Sequence, residues 1–275
     1  MATLIKYQSH VLNAQSFTDR FTGSVDKLYL AIAKSDAWTN GDENPDAVLD
    51  NVDTETVLWS ELIGMQRITE SNIMLCVPRV DWAENVAFTT FDTDAADAYS
   101  KLPGFFTYSE NFPDYTVHEC VVANGTTGST PPTNTTGTAP TPDGFEWKFL
   151  YDLSEADRNN LLLDNWLPVN YGESASAKQV IDGTEDAYQW VGARYVMVKA
   201  VLTPPRDGGL PEVSYRKTCL VTNPLDNVGA PLVTDVILAA EASATASGQL
   251  LHIEHKAPIT RIDAQEETIT FVLEF

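Results

Sequence analysis

The residues best suited to chemistry in this chain are four histidines, three cysteines and a large stock of carboxylates. His252 and His255 stand in the run His-Ile-Glu-His. At that spacing on an extended strand they point to opposite faces, which is poor geometry for one metal ion. His118 and Cys120 are two apart and share a face, as a thiol–imidazole dyad or half of a metal site would, but two ligands do not complete a site. Asp42, Asn44 and Asp46 match the first, third and fifth positions of a calcium loop. There Ala47 replaces the turn glycine, Asp53 replaces the bidentate Glu and Pro45 intrudes, so a solvated, turn-rich loop is expected. With 39 acids some pair of carboxylates is always spaceable, and pairing alone carries no information. The nucleophile elbow, the phosphate-binding loop, the dinucleotide fingerprint and HExxH are all missing from the sequence. No catalytic residue, metal ligand, cofactor or small-molecule substrate is expected, and the chain reads as a non-enzyme.

The 39 acids face 17 bases, a formal charge of −22. Nucleic acid would be repelled by most of such a surface, and no basic stripe offsets it. Anionic membrane is disfavoured on the same ground, and no run approaches the ~18 apolar residues of a spanning helix. The charge favours solubility, or a basic protein partner. Met1 to His10 shows no basic stretch followed by an apolar one, so no signal peptide is expected and synthesis in a cytoplasm is. Cys76, Cys120 and Cys219 lie far apart inside apolar runs and read as buried, reduced thiols; pairing across a dimer stays open.

The elements that must position these residues are mainly strands. In Thr268–Phe275, Ile269, Phe271, Leu273 and Phe275 share one face while Thr268, Thr270 and Glu274 share the other. Glu146–Asp152 alternates likewise, with Trp147, Phe149 and Tyr151 opposite Glu146, Lys148 and Asp152. Further strands are expected at Leu28–Ala33, Ile73–Val77, Thr116–Val122, Tyr195–Leu202, Tyr215–Thr222 and Leu250–His255. Several are apolar on both faces, as strands of a middle layer would be. Helices are expected at Ser9–Phe21, at Asp53–Ile63 with Gly64 as its stop, and at Ser154–Leu163, with a short turn of helix at Asp94–Leu102. The fold class is therefore mainly β: a layered antiparallel β-sandwich, with three layers one form of it, and a few helices in end loops. One domain over 1–275 is expected, with an N-terminal helix-bearing segment over about 1–24. Residues 124–144, NGTTGSTPPTNTTGTAPTPDG, hold no large apolar side chain and predict an exposed, mobile loop.

Trp38, Trp59, Trp82, Trp147, Trp166 and Trp190 are the remaining landmarks. Most belong in a core, whereas Trp38 and Trp82 stand in polar loops and read as buried anchors or contact residues. The landmarks also form an order. Lys34-Ser35-Asp36-Ala37-Trp38-Thr39 follows the first strand, and a segment bearing Asp53, Trp59, Gly64 and Met65 comes next. Then stand Cys76-Val77-Pro78-Arg79-Val80-Asp81-Trp82, His118-Glu119-Cys120-Val121, the polar insert, and Asp143-Gly144-Phe145-Glu146-Trp147-Lys148-Phe149-Leu150-Tyr151. Thr222-Asn223-Pro224-Leu225, Ser247-Gly248-Gln249-Leu250-Leu251-His252-Ile253-Glu254, Ala257-Pro258-Ile259, Gln265-Glu266-Glu267-Thr268-Ile269 and the terminal Phe275 complete it.

This series resembles the gene-product-eight baseplate wedge family of T-even-like contractile-tailed phages, in colinear blocks from about Leu28 to the last residue. Ala33-Lys34 replaces the family's usual Gly-Arg, Val80 replaces the second Arg of its Pro-Arg-Arg-Asp-Trp block, and the insert is shorter than in the best-known member. The resemblance implies a layered β-sandwich with helix-bearing loops at its ends, a homodimer within each wedge, contacts with other wedge subunits, a place in the virion tail baseplate, and no catalytic residues to carry over. Trp38, Arg79, Asp81 and Trp82 are the candidate loop anchors or contacts. Two rivals remain at this point: a carbohydrate-binding or carbohydrate-active β-sandwich using exposed Trp and Asp, and another tail or fibre adaptor, for which a trimer rather than a dimer is expected.

Overall fold

The computed structural model describes residues 7–22, 26–38, 41, 55–78, 80, 82–90, 106–111, 114–153, 166–168, 194–243 and 248–275. Helix α1 (Tyr7–Thr22) covers the expected Ser9–Phe21. Its buried positions are Ala14, Thr18 and Phe21, one turn apart along a single stripe. The Thr18 hydroxyl returns to Ala14 O at 3.0 Å, so the one polar group in the stripe is bonded. Leu12, expected on the apolar face, is exposed instead.

Strand β1 (Leu28–Ala33) has all six residues buried, which explains its lack of alternation: neither face meets water. Helix α2 (Glu55–Glu61) runs directly into β2 (Leu62–Arg67). The expected helix Asp53–Ile63 therefore ends earlier, and Gly64 is not its stop. Leu62, Gly64 and Met65 pair with Ala33, Ile32 and Ala31, and that ladder takes the backbone from the helix. Gly64 serves a close approach. A Cβ there would lie 2.6 Å from Leu210 Cδ2 and 2.8 Å from Ile237 O.

The remaining strands are β3 (Ile73–Pro78), β4 (Phe106–Asn111), β5 (Asp114–Val122), β6 (Thr138–Pro140), β7 (Glu146–Leu153), β8 (Trp166–Pro168), β9 (Tyr195–Leu202), β10 (Ser214–Thr222), β11 (Val236–Leu238), β12 (Gln249–Thr260) and β13 (Glu267–Glu274). They form three antiparallel sheets, ordered β11-β2-β1-β10-β12, β13-β9-β3-β8 and β4-β5-β7-β6. The chain is mainly β and of the β-sandwich class, as expected. Every strand read from alternation or apolar runs is present. β1 and β10 pair without interruption from Leu28↔Thr222 to Ala33↔Lys217.

Contacts gather the chain into two compact units, each assembled from stretches distant in sequence. One comprises Met1–Thr18, Met74–Met197 and Val272–Phe275; the other comprises Asp19–Ile73 and Val198–Phe271. In the first unit, Phe88, Cys120, Phe145 and Trp147 form one buried cluster, and Met74, Cys76, Tyr195 and Met197 another. The second unit packs Tyr29, Ala31, Leu58, Trp59, Met65, Cys219, Val221 and Ile237 together. The three cysteines are buried. The helices expected at Ser154–Leu163 and Asp94–Leu102, the loop Asp42–Asp53 and Trp190 lie outside the described residues.

The polar insert differs most from expectation. Residues 124–144 are largely exposed, yet they carry β6, which pairs with β7 through Thr138↔Lys148, Ala139↔Trp147 and Pro140↔Glu146. Side chain-to-backbone hydrogen bonds order the segment where apolar burial does not.

Candidate functional site

At the end of β1, Lys34 takes a left-handed φ of 61° and turns the chain toward Trp38. Its N–H donates to Glu61 O at 2.9 Å. Its Nζ lies 3.2 Å from Glu61 Oε1 and 5.0 Å from the centre of the Trp38 ring. Lys217, on the neighbouring β10, is buried at 2% side-chain exposure. It places Nζ 2.9 Å from Glu61 Oε2, off the hydrogen-bond direction, and 5.7 Å from the same ring. Trp38 itself is buried. Its Nε1 donates to Lys256 O at 3.0 Å, and its ring centre lies 4.7 Å from that of His255. Arg216 donates to Ser35 O in the same loop. One carboxylate thus holds two ammonium groups against an indole face, and Trp38 fixes its own loop onto the sheet.

The second candidate loop follows β3. Arg79 and Asp81 lie outside the described residues. Trp82 is half-buried, and its Nε1 finds no hydrogen-bond acceptor. Val80 packs on the Phe88–Trp147 cluster, and its N–H donates to Phe106 O at 3.0 Å. Thr127 of the polar insert, 2% exposed, fastens the residues after Trp82. The Thr127 hydroxyl donates to Ala83 O at 2.5 Å and accepts from Val86 N at 3.0 Å. Its backbone N–H donates to Val86 O at 2.9 Å, and its carbonyl accepts from Asn85 N at 2.8 Å.

The insert is anchored in turn. Asn134 Nδ2 donates to Gly137 O at 3.0 Å and to Trp147 O at 3.3 Å. Asp143 accepts from Gly128 N at 2.6 Å and from the Thr141 hydroxyl at 2.6 Å, and Trp147 Nε1 donates to that hydroxyl at 3.2 Å. Burial works against ionisation at Asp143, but the bonds from Gly128 N, Thr141 and Phe145 N outweigh it and hold its carboxyl below the usual range.

Strand β5 carries His118, Glu119 and Cys120, all buried. His118 Nε2 lies 2.9 Å from Asn134 O, the tautomer in which that nitrogen donates, and the Cys120 thiol donates to Val122 O at 3.5 Å. His118 Nε2 and Cys120 Sγ thus each reach a backbone carbonyl. Burial pushes His118 down to about 4. It pushes Glu119 up to about 7, against the pull of Lys148. Burial, with the Glu119 charge adding to it, raises Cys120 to about 12, so no ready thiolate is available for nucleophilic work.

His252 and His255 have separate surroundings. The His252 ring centre lies 5.4 Å from that of Phe271, while His255 packs on Trp38. Among the described residues no group of three or more His, Cys, Asp or Glu stands close enough to hold a metal ion. Sequence reasoning missed Thr127, Asn134 and Asp143 as loop-holding residues. Asn-Gly at 124–125 and Pro-Asp-Gly at 142–144 were turn signals for them. It also missed Lys217, which stands beside Arg216 in β10.

The fold and these clusters define a class: an antiparallel β-sandwich protein whose described polar side chains mostly brace loops and turns. No protein-family model matches the chain. The chain is similar to the baseplate wedge protein gp8 of Enterobacteria phage T4. The two are 20% identical over an alignment of 300 positions that spans 90% of this chain and 89% of that protein.

Proposed function

We propose that this chain is a structural subunit of a contractile phage tail baseplate wedge, forming a homodimer and docking to other wedge proteins in the virion, without catalysing a reaction. The observation that carries the reading is the end-to-end similarity to a baseplate wedge protein, over nine-tenths of each chain. A low identity kept over nearly full length fits a shared architecture with diverged surfaces. The braced loops at Trp38 and Trp82 support it, because a docking part benefits from contact loops ordered before the partner arrives. The net charge of −22 keeps such a part soluble and favours docking to other proteins of complementary charge.

Light scattering of the purified protein tests the assembly state. A mass of two chains is expected; a stable monomer or trimer contradicts the dimer, and the trimer would favour a fibre-type adaptor.

A further inference from the structure

Six large hydrophobic side chains are exposed among the described residues. Three of them, Val228 at 88%, Val233 at 67% and Leu238 at 45%, belong to the single excursion between β10 and β12. That excursion is firmly built. Asp226 Oδ1 accepts from Val228 N at 2.9 Å and from Ala230 N at 2.8 Å, and Gly229 supplies the left-handed φ of 82°. β-Bridges join Leu225 to Pro231 and Asp226 to Ala242. Tyr29 donates to Thr234 O at 3.0 Å, and Leu232 packs on the core. None of these ties uses the Val228 or Val233 side chain. The turn requires Asp226 and Gly229 but is indifferent to the side chain at Val228, where polar residues are usual. Two valines held in water by a rigid loop have no folding reason to be apolar.

The surroundings specify what would cover them. No Lys or Arg occurs between Lys217 and Lys256, while Asp226, Asp235 and Glu241 flank the valines in sequence. Asp235 is 83% exposed even though Arg67 lies 3.6 Å away. An apolar tip with an acidic surround fits an apolar pocket with a basic rim. A second copy meeting it through the same loop is a poor occupant, because two excursions without Lys or Arg would face each other.

We propose that the Val228–Val233 loop is a docking prong that inserts into a basic-rimmed apolar pocket on a different protein of the same particle. This rests on the reading of the chain as a docking subunit. The test places a photo-crosslinking amino acid at position 228, and separately at 233, in the full chain expressed during infection, followed by irradiation of purified particles. The expected adduct is with a different structural protein, at a peptide flanked by Lys or Arg. Val228→Asp should lower the yield from position 233 by about tenfold, the loss of one buried valine, with the melting temperature of the free chain unchanged. An adduct with a second copy overturns the proposal, as does no adduct from a chain that is present in the particles. A chain missing from the particles overturns the wedge reading, and this proposal with it.

Discussion

At the scale of single residues, the buried charges of this protein act as supports. Lys217 has lost nearly all contact with water and lies against Glu61, which is itself partly exposed. Removing one partner of a buried pair leaves an uncompensated charge. Glu61→Gln should therefore lower unfolding stability by about 2–3 kcal/mol, read from chemical denaturation; an effect under about 0.5 kcal/mol would show that Lys217 is held by other groups. His118 and Glu119 act in opposite directions with pH. The folded pKa of His118, about 4, lies below its ordinary value of 6.5. The unfolded chain takes up a proton that the folded chain refuses, and stability falls as pH drops from 6.5 to 4. The folded pKa of Glu119, about 7, lies above its ordinary value of 4.5. The folded chain keeps a proton that the unfolded chain releases, and stability falls as pH rises from 4.5 to 7. Between pH 4.5 and 6.5 the two slopes cancel. In Glu119→Gln the second slope disappears, so stability relative to the parent should rise by about 1.4 kcal/mol per pH unit across that window. Parallel curves for the two proteins would mean that Glu119 ionises normally. Of these residues, only His118 was singled out in the sequence. The burial of Glu119 and Lys217 was hidden because composition says nothing of which acids and bases leave the water.

At the scale of elements, legibility followed hydrophobic pattern. β7 and β13 were readable because alternation and β-branched or aromatic residues coincide there. β1 was readable as an unbroken apolar run, and its burial on both faces accounts for the pattern; β10 is buried almost as fully although it carries Arg216 and Lys217. β6, β8 and β11, three residues each, are too short to carry a period. β2 was misread because the helical spacing of Leu58 and Leu62 continues past Glu61, where pairing with β1 overrides it. Gly64→Ala should confirm the close approach by lowering stability by about 1–3 kcal/mol; a neutral effect would mean that Leu210 and β11 yield easily. The insert was misread because hydrophobic pattern is silent about a segment ordered by Thr127, Asn134 and Asp143. Thr127→Val keeps the shape but removes the hydroxyl's bonds to Ala83 O and Val86 N, at a cost of about 1–3 kcal/mol. Amide exchange at Val86 should quicken more than at β10 amides; equal protection in both variants would mean that the clamp is dispensable. β12 is the edge strand of its sheet, and it is blunted. Register shifts interrupt it near Leu251 and again before Ile259, and Pro258 removes a donor. Association through this edge is therefore disfavoured.

At the scale of the whole molecule, each of the two compact units is assembled from stretches of both halves of the chain, so no single linker marks their boundary in the sequence. The order of the landmarks was legible across that boundary, and the similarity to the T4 wedge protein spans both units. Trp38 was legible as a loop residue, but its two lysines, its carboxylate and its carbonyl partner come from the turn after β1, α2, β10 and β12, which only the fold brings together. If the chain is a wedge part, its biology lies in what it touches. Electron cryomicroscopy of intact virions, combined with mass spectrometry of the purified particles, measures this most directly. The chain should appear in a fixed number of copies per tail, with density for its sheets in the baseplate. Particles complete without it, or density confined to the tail fibres, would contradict the account.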